Sequence, residues 1–159
     1  MPKHYDIPDR PVGWKPPTVA QWISVLQDPK ITTNYHNCLE LLLRLLRAPN
    51  YTAQSSEIYP DFFDKKGQRY TKHSPLNPIA GKFGGRVALV LGIEIPVYYE
   101  ENRKSYNDWQ WNIPFTGDEI CKGNYSWTLR DELKDALKIC FPNVPFSQYL
   151  RFLNDLLDD

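Results

Sequence analysis

The 159-residue chain holds only three cysteines, Cys38, Cys121 and Cys140, and no CxxC pair. An odd number cannot all pair within one chain, so they read as free thiols of a reducing compartment. Histidine is as scarce. His4, His36 and His73 lie far apart, without the spacing to cysteine or carboxylate that a metal site needs, so neither metal nor cofactor is expected. Catalytic signatures are missing as well: there is no HExxH, no HNH-type cluster, no GxSxG and no P-loop. A PD-(D/E)xK nuclease core starting at Pro60-Asp61 fails at its lysine, because Pro96 stands two residues past Glu94. The GKFGGR stretch (81–86) lies inside an expected helix and not before one, where a phosphate loop belongs. The sequence therefore reads as non-catalytic. No run approaches about 18 apolar residues, and the first 17 residues have no apolar h-region, so a soluble, cytoplasmic protein with no membrane partner is expected. Net charge is absent too, 19 Lys+Arg against 19 Asp+Glu, which at face value speaks against a general polyanion binder.

What is present is a core. Hydrophobic residues make up 42% and aromatics 14% of a chain the size of one ordinary domain, which excludes disorder and coiled coil as the main architecture. Five prolines in residues 1–17 mark an extended N-terminal arm, anchored by Trp14. Thr18 and Gln21 match a capping box before a short helix that Asp28 and Pro29 stop. A leucine-rich helix from about Asn34 to Arg47 reads as the buried hub. Thr52 is placed as the cap of a short helix through Ile58, with a polar, lysine-rich loop over 61–75. Asn77 as N-cap, Pro78 at the first position and Gly92 past the end frame a third helix. A short strand falls within Ile93 to Tyr99. Period-two alternation then predicts strands over 109–115 and 124–129 with a turn between them, and Trp109, Trp111 and Trp127 read as core. Helices over 129–140 and from Pro145 to about Leu157 complete the chain.

Three helices followed by a hairpin is the order of a winged helix-turn-helix. The expected fold is α+β and mainly helical: an arm (1–17), a winged-helix domain (18–140) with the β-hairpin as wing, and a C-terminal helix (141–159) packed on the same domain. Charge supports a partner for it. From Lys65 to Ile93 the chain carries Lys65, Lys66, Arg69, Lys72, Lys82 and Arg86 and no acid, while six acids fall in the last 29 residues. Such a window can neutralise phosphates. Ser74, Asn77 and Lys82, at the start of the third helix, are the candidate base readers. Gly81, Gly84, Gly85 and Ala88 repeat at helical spacing, and interior glycine costs about 1 kcal/mol against alanine. Two reasons stay open: tight packing on the hub helix, or close approach to a duplex. Tyr59, Phe62, Phe63 and Tyr70 are candidate walls for stacking a base, with a lid over the core as the other reading of Phe62 and Phe63.

Several stretches together resemble a family: W-x3-LQDP (22–29), the leucine-rich helix ending in Ala48-Pro49, TAQSSEI (52–58), N-x-IA-x3-GGRVA (77–88), WQWNIPFTG (109–117) and GNYSWTLRDELKDAL (123–137). Over about residues 20–140 the chain resembles the winged-helix-like module found beside HNH nuclease or AAA+ motor domains in McrA-like and McrB-like modification-dependent restriction proteins. The resemblance implies a DNA-facing role in defence, reading double-stranded DNA that carries a modification, with a nuclease or motor subunit in trans. A protein-interaction or dimerisation module, with a second copy as partner, is the competing expectation, and a transcription regulator another. A phage DNA mimic is disfavoured, because mimics are strongly acidic. The zero net charge is thus the sum of a basic middle and an acidic end, which points to modest affinity with specificity drawn from shape or from a particular base.

Overall fold

The computed structural model describes residues 14–34, 36–100 and 103–142, and only the backbone of 32–34 and 36. Residues 1–13 of the expected arm (1–17) and 143–159 of the expected C-terminal segment (141–159) lie outside the described residues; of the arm, Trp14 donates its indole N–H to the Glu94 carbonyl at 2.8 Å. Within them the chain is α+β, with six α-helices and two small antiparallel sheets.

Helix α1 (Val19–Leu26) starts as its capping box dictates: Thr18 Oγ accepts the Gln21 N–H, and the Gln21 side chain accepts the Thr18 N–H. The first helix ends at Leu26, just before the expected stop at Asp28 and Pro29, but Pro29 also starts a further helix. That helix is α2 (Pro29–Asn34), which opens there because proline tolerates a first helical turn and the Asp28 carboxylate accepts the Lys30 N–H at 2.9 Å. Helix α3 (His36–Leu46) is the hub, with Leu39, Leu41, Leu42, Leu43 and Leu45 buried.

Thr52 caps nothing. It begins strand β1 (Thr52–Gln54), which pairs antiparallel with residues 126–128, and its hydroxyl lies 2.7 Å from that of Thr128. The short helix α4 (Ser55–Ile58) follows, its Glu57 accepting the Gln54 N–H. Helix α5 (Leu76–Leu91) begins at Leu76 rather than Pro78 and is closed by Gly92 in the left-handed region at φ 67°. Asn77 is inside this helix and is not its cap. Strand β2 (Val97–Glu100) covers the last part of the strand expected within Ile93 to Tyr99 and ends one residue past it; with β3 (Ser105–Asp108), a partner that the alternation does not signal, it forms a separate hairpin.

The segment expected as strand 109–115 is a 3₁₀ turn, Gln110–Asn112, and strand β4 runs later, Phe115–Cys121. Pro114 has no N–H for a ladder, which is why pairing starts only at Phe115. Strand β5 (Asn124–Leu129) returns after a two-residue turn at Lys122 and Gly123, and the sheet order is β1-β5-β4. Helix α6 (Asp131–Cys140) packs against α1.

The core gathers one face from each element: Trp22 on α1, Leu42 and Leu45 on α3, Phe83 and Val87 on α5, Phe115 and Trp127 on the sheet, Leu133 and Leu137 on α6. Arg130 is buried among them, its Nε donating to the Asn112 and Ile113 carbonyls and its Nη2 to Asn112 Oδ1. Asn112 also accepts from the Tyr98 hydroxyl and donates to the Phe115 carbonyl, so this cluster fastens the 3₁₀ turn and the β2-β3 hairpin to the main sheet.

Candidate nucleic-acid interface

The basic segment divides when folded. Residues 64–68 close a tight loop around Asp64, whose Oδ1 accepts the N–H groups of Lys66 and Gln68, and Phe63 bridges to Arg69. Lys65 and Lys66 stand exposed at its tip, and Lys72 and Ser74 are exposed before α5. Lys82 is exposed on α5 itself. The two arginines behave differently. Arg69 Nη1 donates to the Pro60 carbonyl at 2.7 Å while its guanidinium sits 4.9 Å from the centre of the Phe63 ring. Arg86 is half-buried, and its Nε has no acceptor among the described residues. The acids that flank the window are used locally: Asp61 pairs with Arg44 Nε at 3.0 Å, and Asp64 holds the loop.

Asn77 does not present its amide to solvent. Its Nδ2 donates to the Gly123 carbonyl at 3.0 Å, tying the start of α5 to the hairpin turn, and its Oδ1 is buried. This contact brings the hairpin tip beside the N-terminal turn of α5 and adds Lys122, exposed on that tip, to the cationic surface. The sequence signals Lys122 only through the Lys-Gly pair between the two strands, because 116–123 has the composition of a turn. Asn124 anchors the other side of the turn, its Oδ1 accepting the Ser55 hydroxyl and the Ser56 N–H.

The base-stacking set is not assembled as expected. Phe62 is fully buried, which makes it core and removes it as a wall for a base. Tyr59 and Tyr70 are half-buried against that core, and burial, followed by the nearby Asp64 and Glu40 carboxylates, pushes the Tyr70 hydroxyl above its ordinary pKa. Phe63 is half-buried beneath Arg69. Of the three tryptophans expected in the core only Trp127 is fully buried; Trp109 and Trp111 are half-buried.

The glycine row of α5 faces its own chain. A Cβ on Gly84 would lie 1.8 Å from the Gln110 carbonyl oxygen, and one on Gly85 would meet the Gln110 side chain at 2.9 Å. Close approach is the correct reason for these glycines, but the neighbour is the 3₁₀ turn Gln110–Asn112, neither the hub helix nor a duplex. That leaves Pro78, Lys82, Leu89 and Val90 as the exposed residues of α5, with Arg86 half-buried beside them. Among the described residues no group of three His, Cys, Asp or Glu is placed to hold a metal ion, and no helix is long and apolar enough to cross a membrane. Comparison of the chain with protein-family models, with curated proteins and with solved structures returned no match.

Proposed function

We propose that the chain is a winged-helix module that binds double-stranded DNA, plain or modified, through phosphate contacts made by lysines. In this reading it has no catalysis of its own and serves a nuclease or motor subunit in trans. The observation that carries the proposal is strand β1. Set between α3 and α4 and paired with β5, it completes, once the inserted β2-β3 hairpin and the 3₁₀ turn after α5 are set aside, the order helix, strand, helix, helix, strand, strand with sheet order β1-β5-β4, in which α5 would be the groove-facing helix and the β4-β5 hairpin the wing. Exposed Lys65, Lys66, Lys72, Lys82 and Lys122 lie on the loop, the helix and the hairpin tip that such a geometry turns toward DNA. The link to restriction rests on the sequence resemblance.

Fluorescence anisotropy on plain and methylated duplexes tests it. Four phosphate contacts give a slope of log K against log salt of about −3 to −4, and each Lys→Gln change reduces that slope by about 1. Lys72→Glu with Lys82→Glu removes binding and leaves the far-UV spectrum unchanged, since both side chains are exposed. Absence of binding to every duplex at low salt refutes the proposal.

A specific observation favours the second reading, a protein-interaction module. Val97, Tyr99 and Tyr106 are 43%, 46% and 74% exposed on one face of the β2-β3 hairpin, with the tyrosine rings 5.0 Å apart. Light scattering distinguishes the two. A DNA-independent dimer that Tyr99→Ser with Tyr106→Ser dissociates supports interaction.

A further inference from the structure

Between the β2-β3 hairpin and the β4-β5 hairpin lies a cavity of about 270 Å³, lined by Glu100, Arg103, Asn107, Asp108, Trp109, Trp111, Glu119 and Tyr125. Three aromatic rings follow one another along it, Trp109 to Trp111 at 5.7 Å and Trp111 to Tyr125 at 5.2 Å between centres. Their positions are fixed from behind. Trp109 stacks on Tyr98 at 4.0 Å, and Tyr125 lies parallel to the buried Trp127 at 6.0 Å. The carboxylates are placed as firmly. Glu100 Oε1 accepts the Trp109 indole N–H at 2.8 Å, and Glu119 Oε1 accepts the Gly123 N–H at 3.1 Å. Asp108 makes no hydrogen bond or ion pair among the described residues. Arg103, the one cation among the described lining residues, already pairs with Glu100 at 3.3 Å. The lining therefore carries three negative charges against one positive.

An anion is repelled by such a wall, and a strongly hydrated ammonium does not need aromatic rings. Aromatic faces combined with carboxylates suit a weakly hydrated, alkylated cation, which ring quadrupoles attract and which leaves no hydrogen-bond donor unsatisfied when it sheds water. We propose that this cavity binds an alkylated ammonium group, with Trp109, Trp111 and Tyr125 as the aromatic walls and Asp108 and Glu119 as the counter-charge. The group can arrive as a free quaternary ammonium or as the methylated lysine of a peptide, and the site does not depend on DNA binding.

Tryptophan fluorescence of the whole chain, titrated with choline, with 3,3-dimethylbutanol as its uncharged isostere, and with a trimethyllysine peptide beside its unmodified counterpart, tests this. Saturable quenching by choline and none by the isostere is the expected result, with Asp108→Asn plus Glu119→Gln weakening choline by about tenfold. Equal binding of choline and peptide assigns the site to the free cation, and much tighter binding of the methylated peptide assigns it to lysine. The proposal is overturned if the isostere binds as well as choline, if neither choline nor the methylated peptide binds, or if the charge variants bind choline unchanged.

Discussion

Alanine at the three glycines of α5 separates helix propensity from packing within a single element. Propensity alone favours each substitution by about 1 kcal/mol, because glycine loses more backbone freedom in a helix than alanine. Packing differs at each site. At Gly81 a Cβ would sit 3.8 Å from Gln110 Oε1, an ordinary contact, so Gly81→Ala stabilises by up to about 1 kcal/mol. At Gly85 the Cβ meets the end of the Gln110 side chain at 2.9 Å, which can swing aside, and the two effects cancel to within about 0.5 kcal/mol. At Gly84 the Cβ would overlap the Gln110 carbonyl oxygen at 1.8 Å and its carbon at 2.7 Å. That backbone cannot yield cheaply, since Asn112, two residues on, is held by Tyr98, Phe115 and Arg130. Net destabilisation by about 2 kcal/mol or more is expected, overpacking outweighing propensity. Urea unfolding of the three variants reads the order directly, and Gln110→Ala relieves whatever remains at Gly85 without rescuing Gly84, where the contact is backbone. A Gly84→Ala protein as stable as its parent refutes the packing.

The other predictions concern buried groups. Glu40 is 4% exposed, and burial raises its pKa from 4.5 to about 7, so its protonated form suits the fold; its contribution is fully present below about pH 4.5 and is lost as pH rises through 7. Glu40→Gln therefore gains up to about 3 kcal/mol at pH 8 and little at pH 4, and equal gains at both values would contradict this. Arg130→Met removes the bonds to Asn112 and Ile113 and lowers stability by about 3 kcal/mol, measured by thermal unfolding; a loss under about 0.5 kcal/mol would mean that the network is incidental. Cys38, buried with its thiol pushed up to about 12, reacts with thiol reagents only after denaturant is added, and labelling at the native rate of an exposed cysteine would sink this.

What could be read in the sequence was local. The capping box at Thr18 and the glycine stop at Gly92 depend on residues within one turn, and both stand where the spacing puts them. Strand β1 has no such signal. Three residues, Thr-Ala-Gln, are extended only because β5 offers a ladder some seventy positions away, and sequence periodicity does not register a partner at that distance. Trp109 to Phe115 alternates as a strand does, yet the alternation serves ring stacking on Tyr98 and Tyr125, and Pro114 was the contrary signal within it. The polar part of edge strand β4 (Phe115–Cys121) is hidden in the sequence because the Thr-Gly-Asp that follows Phe115 is turn chemistry. The cationic residues were legible as a group, but which of them face solvent was not: burial of Arg86 and the local bonds of Arg69 follow from tertiary neighbours.

That sorting changes what kind of recognition the surface supports. Arg69 is exposed but held on the Pro60 carbonyl and over Phe63, and Arg86 is half-buried, so the other exposed cations of 65–93 are lysines, compact point charges without the planar fork that reads guanine bidentately. If the chain binds DNA as proposed, lysines on a loop and one helix would position the duplex by its phosphates and carry little sequence information. Orientation has a further determinant at Gly123. Its carbonyl holds Asn77 on the cationic side, and its N–H is held by Glu119, a wall of the anionic cavity. Charges of opposite sign thus flank one turn, so a polyanion drawn to Lys72, Lys82 and Lys122 is repelled from the β2-β3 side, and neutralising Asp108 and Glu119 raises its association rate at low salt.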